Sequence, residues 1–321
     1  MKVFLGVDTS SYTTSLCLVG QDGAVLADLR RMLNVGPGQR GLRQSEALFQ
    51  HVQNLPLLGA ELGSYLSGKA SISAIGVSSK PRAQIDSYMP VFLPGQSLAQ
   101  SLGHLFGIPC YELSHQENHI WGGLGSSAGP FSERFLAIHL SGGTTELVQV
   151  ELNLETWRMK VNLWGGTSDL HAGQLVDRLG VGLGLGFPAG PELEQLAQTA
   201  DSTVPIATFH KAGKISFSGP LTALERLKGE IAPEVLALSS FQVISRTLIK
   251  WITWAEQKTQ SRELLIVGGV AANKIIRREL EQALPNWNIY FASPEFSTDN
   301  AYGAAYYAAL ASGGLLFPQE D

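Results

Sequence analysis

A strand, a turn of small hydroxyl or glycine residues and a second strand occur twice in this chain, and that recurrence constrains the fold more than any other feature. Residues 2–8 form an apolar run that stops at Asp8-Thr9-Ser10-Ser11, and a second run, residues 14–19, follows at once. The pattern returns as residues 135–140, the turn Ser141-Gly142-Gly143-Thr144-Thr145, and residues 146–150. β-rich runs joined by so short a turn indicate antiparallel hairpins. A third strand, residues 264–267, ends in Gly268-Gly269 before a helix over 271–284. The repeat predicts two domains, 1–130 and 131–321, with a hinge in the Gly, Ser and Pro rich stretch 122–130 and the last helix packing back on the N-terminal half.

The remaining pattern alternates helix and strand. A run at 24–29 extends the opening hairpin to a meander, and 45–66 is amphipathic at helical period, although Pro56 should kink or divide it. A strand at 72–77 leads into the loop Ser78-Ser79-Lys80-Pro81-Arg82, placed where α/β folds hold ligands. Further elements are a helix at 91–106, a strand at 109–113 and a strand at 157–164. Helices follow at 170–179 with Ser168 as cap, at 192–200, around Pro220 and at 233–254. A strand at 289–291 precedes a final Ala-rich helix opened by Asp299 and ending at Ala311.

Composition excludes several classes. With 44% hydrophobic and 16% charged residues the chain is a globular protein and not a disordered one. Cys17 and Cys110 lack metal or disulfide spacing and read as core thiols in a reducing compartment. No stretch approaches about 18 consecutive apolar residues, and the N-terminal run is too short for a signal peptide. The expectation is a cytoplasmic protein without a membrane. A net charge of -5 argues against a generally basic surface. The denser basic spots, Arg30-Arg31 with Arg40 and Arg43, and Arg277-Arg278, read equally well as solvated faces.

Three small-residue turns, each following a strand, with a domain repeat, are the arrangement of the two-domain actin-like ATPase fold. This α/β architecture, a duplicated ribonuclease H-like unit, is shared by Hsp70, sugar kinases and actin. There the first two turns offer N–H and hydroxyl groups to phosphates, and the third packs against adenosine.

His115-Gln116-Glu117-Asn118-His119 carries two histidines at i and i+4, which stack on one helical face and can address one ion. A divalent cation needs a carboxylate besides, and Asp299 in Ser-Thr-Asp-Asn-Ala is the nominee. The alternatives are a solvated helix face for the histidines and a helix N-terminal cap for Asp299. The zinc-protease pattern His-Glu-x-x-His is not met, because Gln116 stands where the general base belongs.

Seven segments in order carry a more specific resemblance. They are His-Gln-Glu-Asn-His, Leu-Ser-Gly-Gly-Thr-Thr-Glu-Leu, Ala-Gly-Gln-Leu-Val-Asp-Arg, Gly-Phe-Pro-Ala-Gly-Pro, Ser-Phe-Ser-Gly, Gly-Gly-Val-Ala-Ala-Asn and Pro-Glu-Phe-Ser-Thr-Asp-Asn. The chain resembles the tRNA threonylcarbamoyladenosine transferase family, also known as glycoprotease and formerly as O-sialoglycoprotein endopeptidase. The resemblance implies metal-dependent transfer of a threonylcarbamoyl group from threonylcarbamoyl-adenylate to N6 of adenosine 37 in tRNA. It implies iron or zinc on His115, His119 and Asp299. Nucleotide contacts (ATP, ADP, AMP or the adenylate) fall at Ser141, Gly142, Gly143, Thr144, Asp177, Gly190, Gly268, Gly269 and Asn273. Ser10, Thr13 and Lys80 stand as candidate catalytic side chains. A homologous partner subunit or a homodimer is implied as well as tRNA.

The departures from the family pattern cluster at the phosphate and carbamoyl end. The first turn usually reads Glu-Thr-Ser-Cys-Asp-Glu-Thr, and here Tyr12-Thr13 replaces the acidic pair. Thr144 replaces a His, Lys80-Pro81-Arg82 replaces a Gly-Pro-Gly loop, and Ala189 replaces a Gly. The chain therefore reads as a divergent paralogue. Two other functions remain open: a carbamoyl- or acyl-adenylate transferase acting on another acceptor, and a catalytically idle nucleotide-binding subunit.

Overall fold

The structure is a computed structural model describing residues 1–10, 12–35, 42–66, 70–84, 86–127 and 129–317. Ser11 of the first turn and Arg40 of the basic spot lie outside the described residues. The chain forms two compact units. One comprises Met1–Ser127, Leu152–Lys160 and Thr298–Asp321; the other comprises Ala128–Glu151 and Val161–Ser297.

In the first unit, β1 (Lys2–Asp8), β2 (Thr13–Gly20) and β3 (Val25–Met32) form the expected antiparallel meander. β4 (Ser71–Lys80) joins β1 in parallel and β5 (Cys110–Ser114) joins β4, giving the order β3-β2-β1-β4-β5. Odd residues Val3, Leu5 and Val7 of β1 face Leu55, Leu58 and Leu62 of α1 (Gln44–Leu66) and Ala99 of α2 (Leu93–Phe106). Pro56 does not divide α1. The carbonyl that loses its bond to a proline nitrogen belongs to Val52, on the solvent side of the helix, where water can replace the N–H.

Two further expectations for this unit fail. β4 continues through Lys80, held by pairing with Ser114, so the ligand-type loop starts only at Pro81. Gly122 to Gly125 are not a linker either, because α3 (His115–Ser126) runs through them, although the boundary between the two units, after Ser127, does fall within the stretch 122–130.

The second unit repeats the plan. β6 (Arg134–Leu140) and β7 (Thr145–Leu152) form a hairpin, β8 (Met159–Thr167) lies beyond β7, and β11 (Glu263–Val267) and β12 (Asn288–Phe291) add in parallel on the far side of β6. The order β12-β11-β6-β7-β8 is that of the first sheet, and a short hairpin, β9 (Phe209–Lys211) and β10 (Lys214–Ser216), extends it past β8. That hairpin was not legible as strand, since each arm has only three residues.

Leu136, Ile138 and Leu140 of β6 pack into a core built from α4 (Ala172–Gly182), α5 (Gly190–Ala197), α6 (Ser218–Arg226), α7 (Pro233–Glu256) and α8 (Lys274–Ala283). α7 is long and apolar enough to cross a membrane by composition, but 67% of that window is buried in the protein, including Phe241, Leu248 and Trp251. It is a core helix. α4 starts after His171 and not from Ser168, whose hydroxyl instead donates to Ile215 O at 3.2 Å.

The last helix, α9 (Tyr302–Ala311), belongs to the first unit and lies on the even-residue face of β1. Its small residues permit an approach no larger side chain would allow. A Cβ on Gly303 would stand 1.9 Å from Asn118 O of α3, and one on Gly6 would stand 2.0 Å from Ala301 O. The glycine-rich α3 thus serves a close helix–helix contact. α9 begins three residues later than anticipated, with Ala301 at its N-cap position, so Asp299 is not its cap; just ahead of it Asn300 Oδ1 accepts from Tyr302 N at 2.8 Å.

Candidate metal centre and nucleotide-binding turns

Ser114 starts α3 through a reciprocal capping box with Glu117: Glu117 N donates to Ser114 Oγ at 3.2 Å, and Ser114 N donates to Glu117 Oε2 at 2.6 Å. Glu117 is thereby occupied as a helix cap, and the next turn stacks His115 and His119 with ring centroids 4.5 Å apart. Their Nε2 atoms are 3.1 Å apart. Asp299 Oδ1 lies 3.6 Å from His115 Nε2 and 3.4 Å from His119 Nε2. This is the group of metal-ligating side chains found among the described residues, with one donor atom from each lying within 4.8 Å of the others.

Sequence reasoning passed over the support behind these donors. Asp8, wholly buried at the end of β1, places Oδ2 3.0 Å from His115 Nδ1. Asn118 Nδ2 donates to the same oxygen at 3.0 Å and to Asn300 O at 2.6 Å, while Asn118 Oδ1 accepts from Ala304 N at 2.7 Å. One amide therefore ties β1, α3 and the segment leading into α9 together. The only signal in the sequence was an Asn inside the His-x3-His motif and an acid closing the first strand.

The donor set fits a cation. With Nδ1–H committed to Asp8, the neutral His115 ring presents an Nε2 lone pair to the place where His119 Nε2 and Asp299 Oδ1 converge. Donors sharing one ion at about 2.0–2.1 Å stand about 3.3 Å apart in tetrahedral geometry, close to the separations seen. Electrostatics agree. Burial works against a charged His115, but the Asp8 charge and the hydrogen bonds that the ring donates to Asp299 and Asp8 outweigh it and push the ring up to about 10. Burial, then the charge on His115, hold His119 below the ordinary imidazole range. Asp299, only partly buried, stays ionised well below the usual carboxylate range, through the hydrogen bonds it accepts from both rings and their charge. Without a metal, a proton on His115 provides the positive charge this cluster is built around.

Of the three candidate catalytic side chains, Ser10 is the one hydrogen-bonded to this cluster. Ser10 is buried and donates both its N–H, at 2.7 Å, and its hydroxyl to Asp8 Oδ1. Thr13 begins β2, its N–H donating to Ser10 O at 3.3 Å. Lys80 is half-buried at the end of β4, level with Ser114, and the next carbonyl, Pro81 O, accepts from Gln116 N at 3.1 Å.

The second unit carries the candidate nucleotide contacts. In the turn after β6, Ser141 Oγ accepts from Gly143 N at 3.3 Å and Thr144 N at 3.0 Å, and Ser141 N donates to Thr144 O at 2.8 Å. Gly142 and Gly143 are exposed, with open space where a Cβ would stand. α4 begins beside this turn: Gly173 N donates to Ser141 O at 3.1 Å and Ala172 N to Thr145 Oγ1 at 3.0 Å. Asp177 on α4 accepts from Ala189 N at 2.9 Å just before Gly190, and burial raises its carboxyl above the usual range.

Gly268 adopts φ 101, and a Cβ there would lie 2.5 Å from Leu140 O, so only glycine fits next to β6. Gly269 opens the following single turn, and Asn273 Oδ1 caps α8 by accepting from Ile276 N at 2.9 Å. Arg277, read from sequence as part of a basic spot, is spent on carbonyls: its Nε donates to Ala271 O at 2.8 Å and its NH2 to Ala292 O at 3.0 Å.

The chain matches the family model for tRNA N6-adenosine threonylcarbamoyltransferase over residues 45–306. It is 31% identical over 305 residues to the enzyme of that name from Thermus thermophilus, covering 92% of this chain and 88% of the relative. The counterpart from Carboxydothermus hydrogenoformans is 30% identical, covering 97% and 93%. Among solved structures, a ROK family glucokinase from Streptomyces griseus superposes with a TM-score of 0.54 at 14% identity, covering 95% of this chain and 99% of that one. The architecture is the actin-like ATPase fold expected from the three turns.

Proposed function

Because the chain belongs to the tRNA N6-adenosine threonylcarbamoyltransferase family, we propose that it transfers a threonylcarbamoyl group from threonylcarbamoyl-adenylate to N6 of adenosine 37 in tRNA. The observation that carries this reading is the meeting of His115, His119 and Asp299 around one point, backed by Asp8. In the reaction N6 attacks the carbamoyl carbon, the bond from that carbon to the phosphate oxygen breaks, AMP departs, and N6 gives up one proton.

His115, His119 and Asp299 would hold iron or zinc. Bound there, a divalent cation supplies a Lewis acid for phosphate or carbamoyl oxygens, so no protein nucleophile is needed. Asp8 keeps the His115 ring turned so that Nε2 faces its two neighbours. Gly142, Gly143 and Thr144 offer N–H and hydroxyl donors to phosphate. Asp177, with one oxygen anchored by Ala189 N, has the other available to ribose hydroxyls. The stretch Gly268 to Asn273 borders the base.

Tyr12-Thr13 in place of an acidic pair favours a second reading, with the group passed to another acceptor or with turnover lost altogether. A carboxylate missing from a proton-transfer position lowers rate by a factor of about 100 to 10,000. The assay that separates these readings follows AMP released from threonylcarbamoyl-adenylate. Release only when tRNA is added supports the proposal; release driven by a small-molecule amine supports another acceptor; bound nucleotide with no release under either condition supports an idle subunit.

A further inference from the structure

Among the described residues the β9–β10 hairpin has no equivalent at the corresponding edge of the first sheet, where β3 is the outermost strand. It turns through Ala212 and Gly213, both at positive φ (48 and 84), and pairs Lys211 directly opposite Lys214. Like charges facing each other across a two-strand ladder are destabilising, and Ala is a poor choice for a left-handed position. Stability of the hairpin does not account for these residues.

The hairpin is nonetheless held firmly. On its inner face the His210 ring meets Trp254 of α7 edge-on at 5.4 Å, Ile215 is fully buried, and Gly213 leaves no room for a Cβ against Trp254. Lys250 Nζ donates to Thr208 Oγ1 at 2.6 Å, and Lys258 Nζ sits 4.5 Å over the Trp254 ring. Four ammonium groups thus border one small element, and among the described residues none of them has a carboxylate within ion-pair distance. Across residues 206–216 and 250–258 the one acid is Glu256, which pairs with Arg262 at 2.9 Å. That contrasts with a chain in which 28 acids outnumber 23 bases. Asp169 approaches the far end of β10 but is engaged by Ser216, Ser218, Leu170 N and Phe217 N.

We infer that this hairpin is a docking surface for the phosphodiester backbone of the RNA acceptor, with Lys211 and Lys214 as its principal contacts. Position supports the choice. Lys214 is level with Gly166 of β8, whose Cβ position is 3.3 Å from Thr145 O, so Lys214 lies two strands, about 10 Å, from the Ser141–Thr144 turn. Phe209, 47% exposed, is on the same outer face as Lys211 and offers a ring to an unpaired base, which an acidic peptide would not require. The inference rests on the proposed tRNA reaction, since it takes RNA as the acceptor.

The test uses the full chain and an unmodified transcript of a tRNA that reads codons beginning with A. Binding is followed by fluorescence anisotropy at several salt concentrations between about 50 and 200 mM. Lys211→Glu with Lys214→Glu should weaken binding at least about tenfold and flatten the slope of log K against log salt by about 2, while ADP affinity stays unchanged. The single change Lys211→Glu should raise the melting temperature, by turning a like-charged pair into an opposite one, and still weaken tRNA binding. Lys2→Glu, on β1 of the first unit, should alter neither. A double variant that binds tRNA with wild-type affinity and slope overturns the inference and leaves the reaction standing. Wild-type protein that binds ADP but no tRNA overturns both.

Discussion

Asp8 Oδ2 stands 3.0 Å from His115 Nδ1, with Asn118 Nδ2 at the same distance from that oxygen. The carboxylate fixes the tautomer and direction of the ring that must present Nε2 to a cation, and it does so from inside the sheet, where it has no other charge partner among the described residues. Replacing Asp8 by Asn keeps the shape and removes the charge. Metal affinity should fall by about 10- to 100-fold, read by competition with a chelator of known affinity. An unchanged affinity would mean that the pair merely fills space.

The metal-free protein should show a pH dependence of stability set by this cluster. His115 is raised from 6.5 to about 10, so its contribution is fully present below about pH 6.5 and is lost as pH rises through 10. Asp8 and Asp299 are lowered from 3.8, so their contribution is present above that value and is lost as pH falls through their folded values. With chelator present, the melting temperature should decline between about pH 6.5 and 10, and His115→Gln should flatten that decline. A wild-type curve already flat over the range would contradict the assignment.

Much of this was legible in sequence, and the failures share a cause. The duplicated hairpin showed because turn chemistry and alternation are local signals, and His115 with His119 showed because i, i+4 spacing is local too. Asp8 and Asn118 did not show, because their roles exist only once β1 and α3 are side by side. Glycines at 122, 123 and 125 looked like a linker since composition cannot distinguish a loop from a helix that lets another helix approach closely. Pro56 failed as a helix breaker because the orphaned carbonyl happens to face water.

The contact between α3 and α9 should be intolerant of a single methyl group. Gly303→Ala would place a Cβ 1.9 Å from Asn118 O, a backbone atom that cannot step aside without moving His119. A loss of about 3 kcal/mol or more is expected from urea unfolding. Gly142→Ala, with open space around it, should stay within about 0.5 kcal/mol. Equal effects would argue against the close packing of α9.

Nucleotide binding can be separated from the metal through Asp177. Asp177→Asn keeps an oxygen for Ala189 N but trades the second acceptor for a donor. ADP affinity measured by calorimetry should drop about 10- to 100-fold, the worth of one hydrogen bond to a charged group, while the melting temperature of the free protein does not fall, because burial already disfavours the charge that Asn removes. Retained affinity would remove Asp177 from the ribose contacts.

The most direct test is elemental analysis of the purified protein beside His119→Ala and Asp299→Ala. We predict close to one iron or zinc per wild-type chain and a large loss in both variants, each remaining folded by circular dichroism. A wild-type protein that stays metal-free after incubation with ferrous and zinc salts, or variants that keep the full complement, would contradict the claim that these three side chains hold one cation.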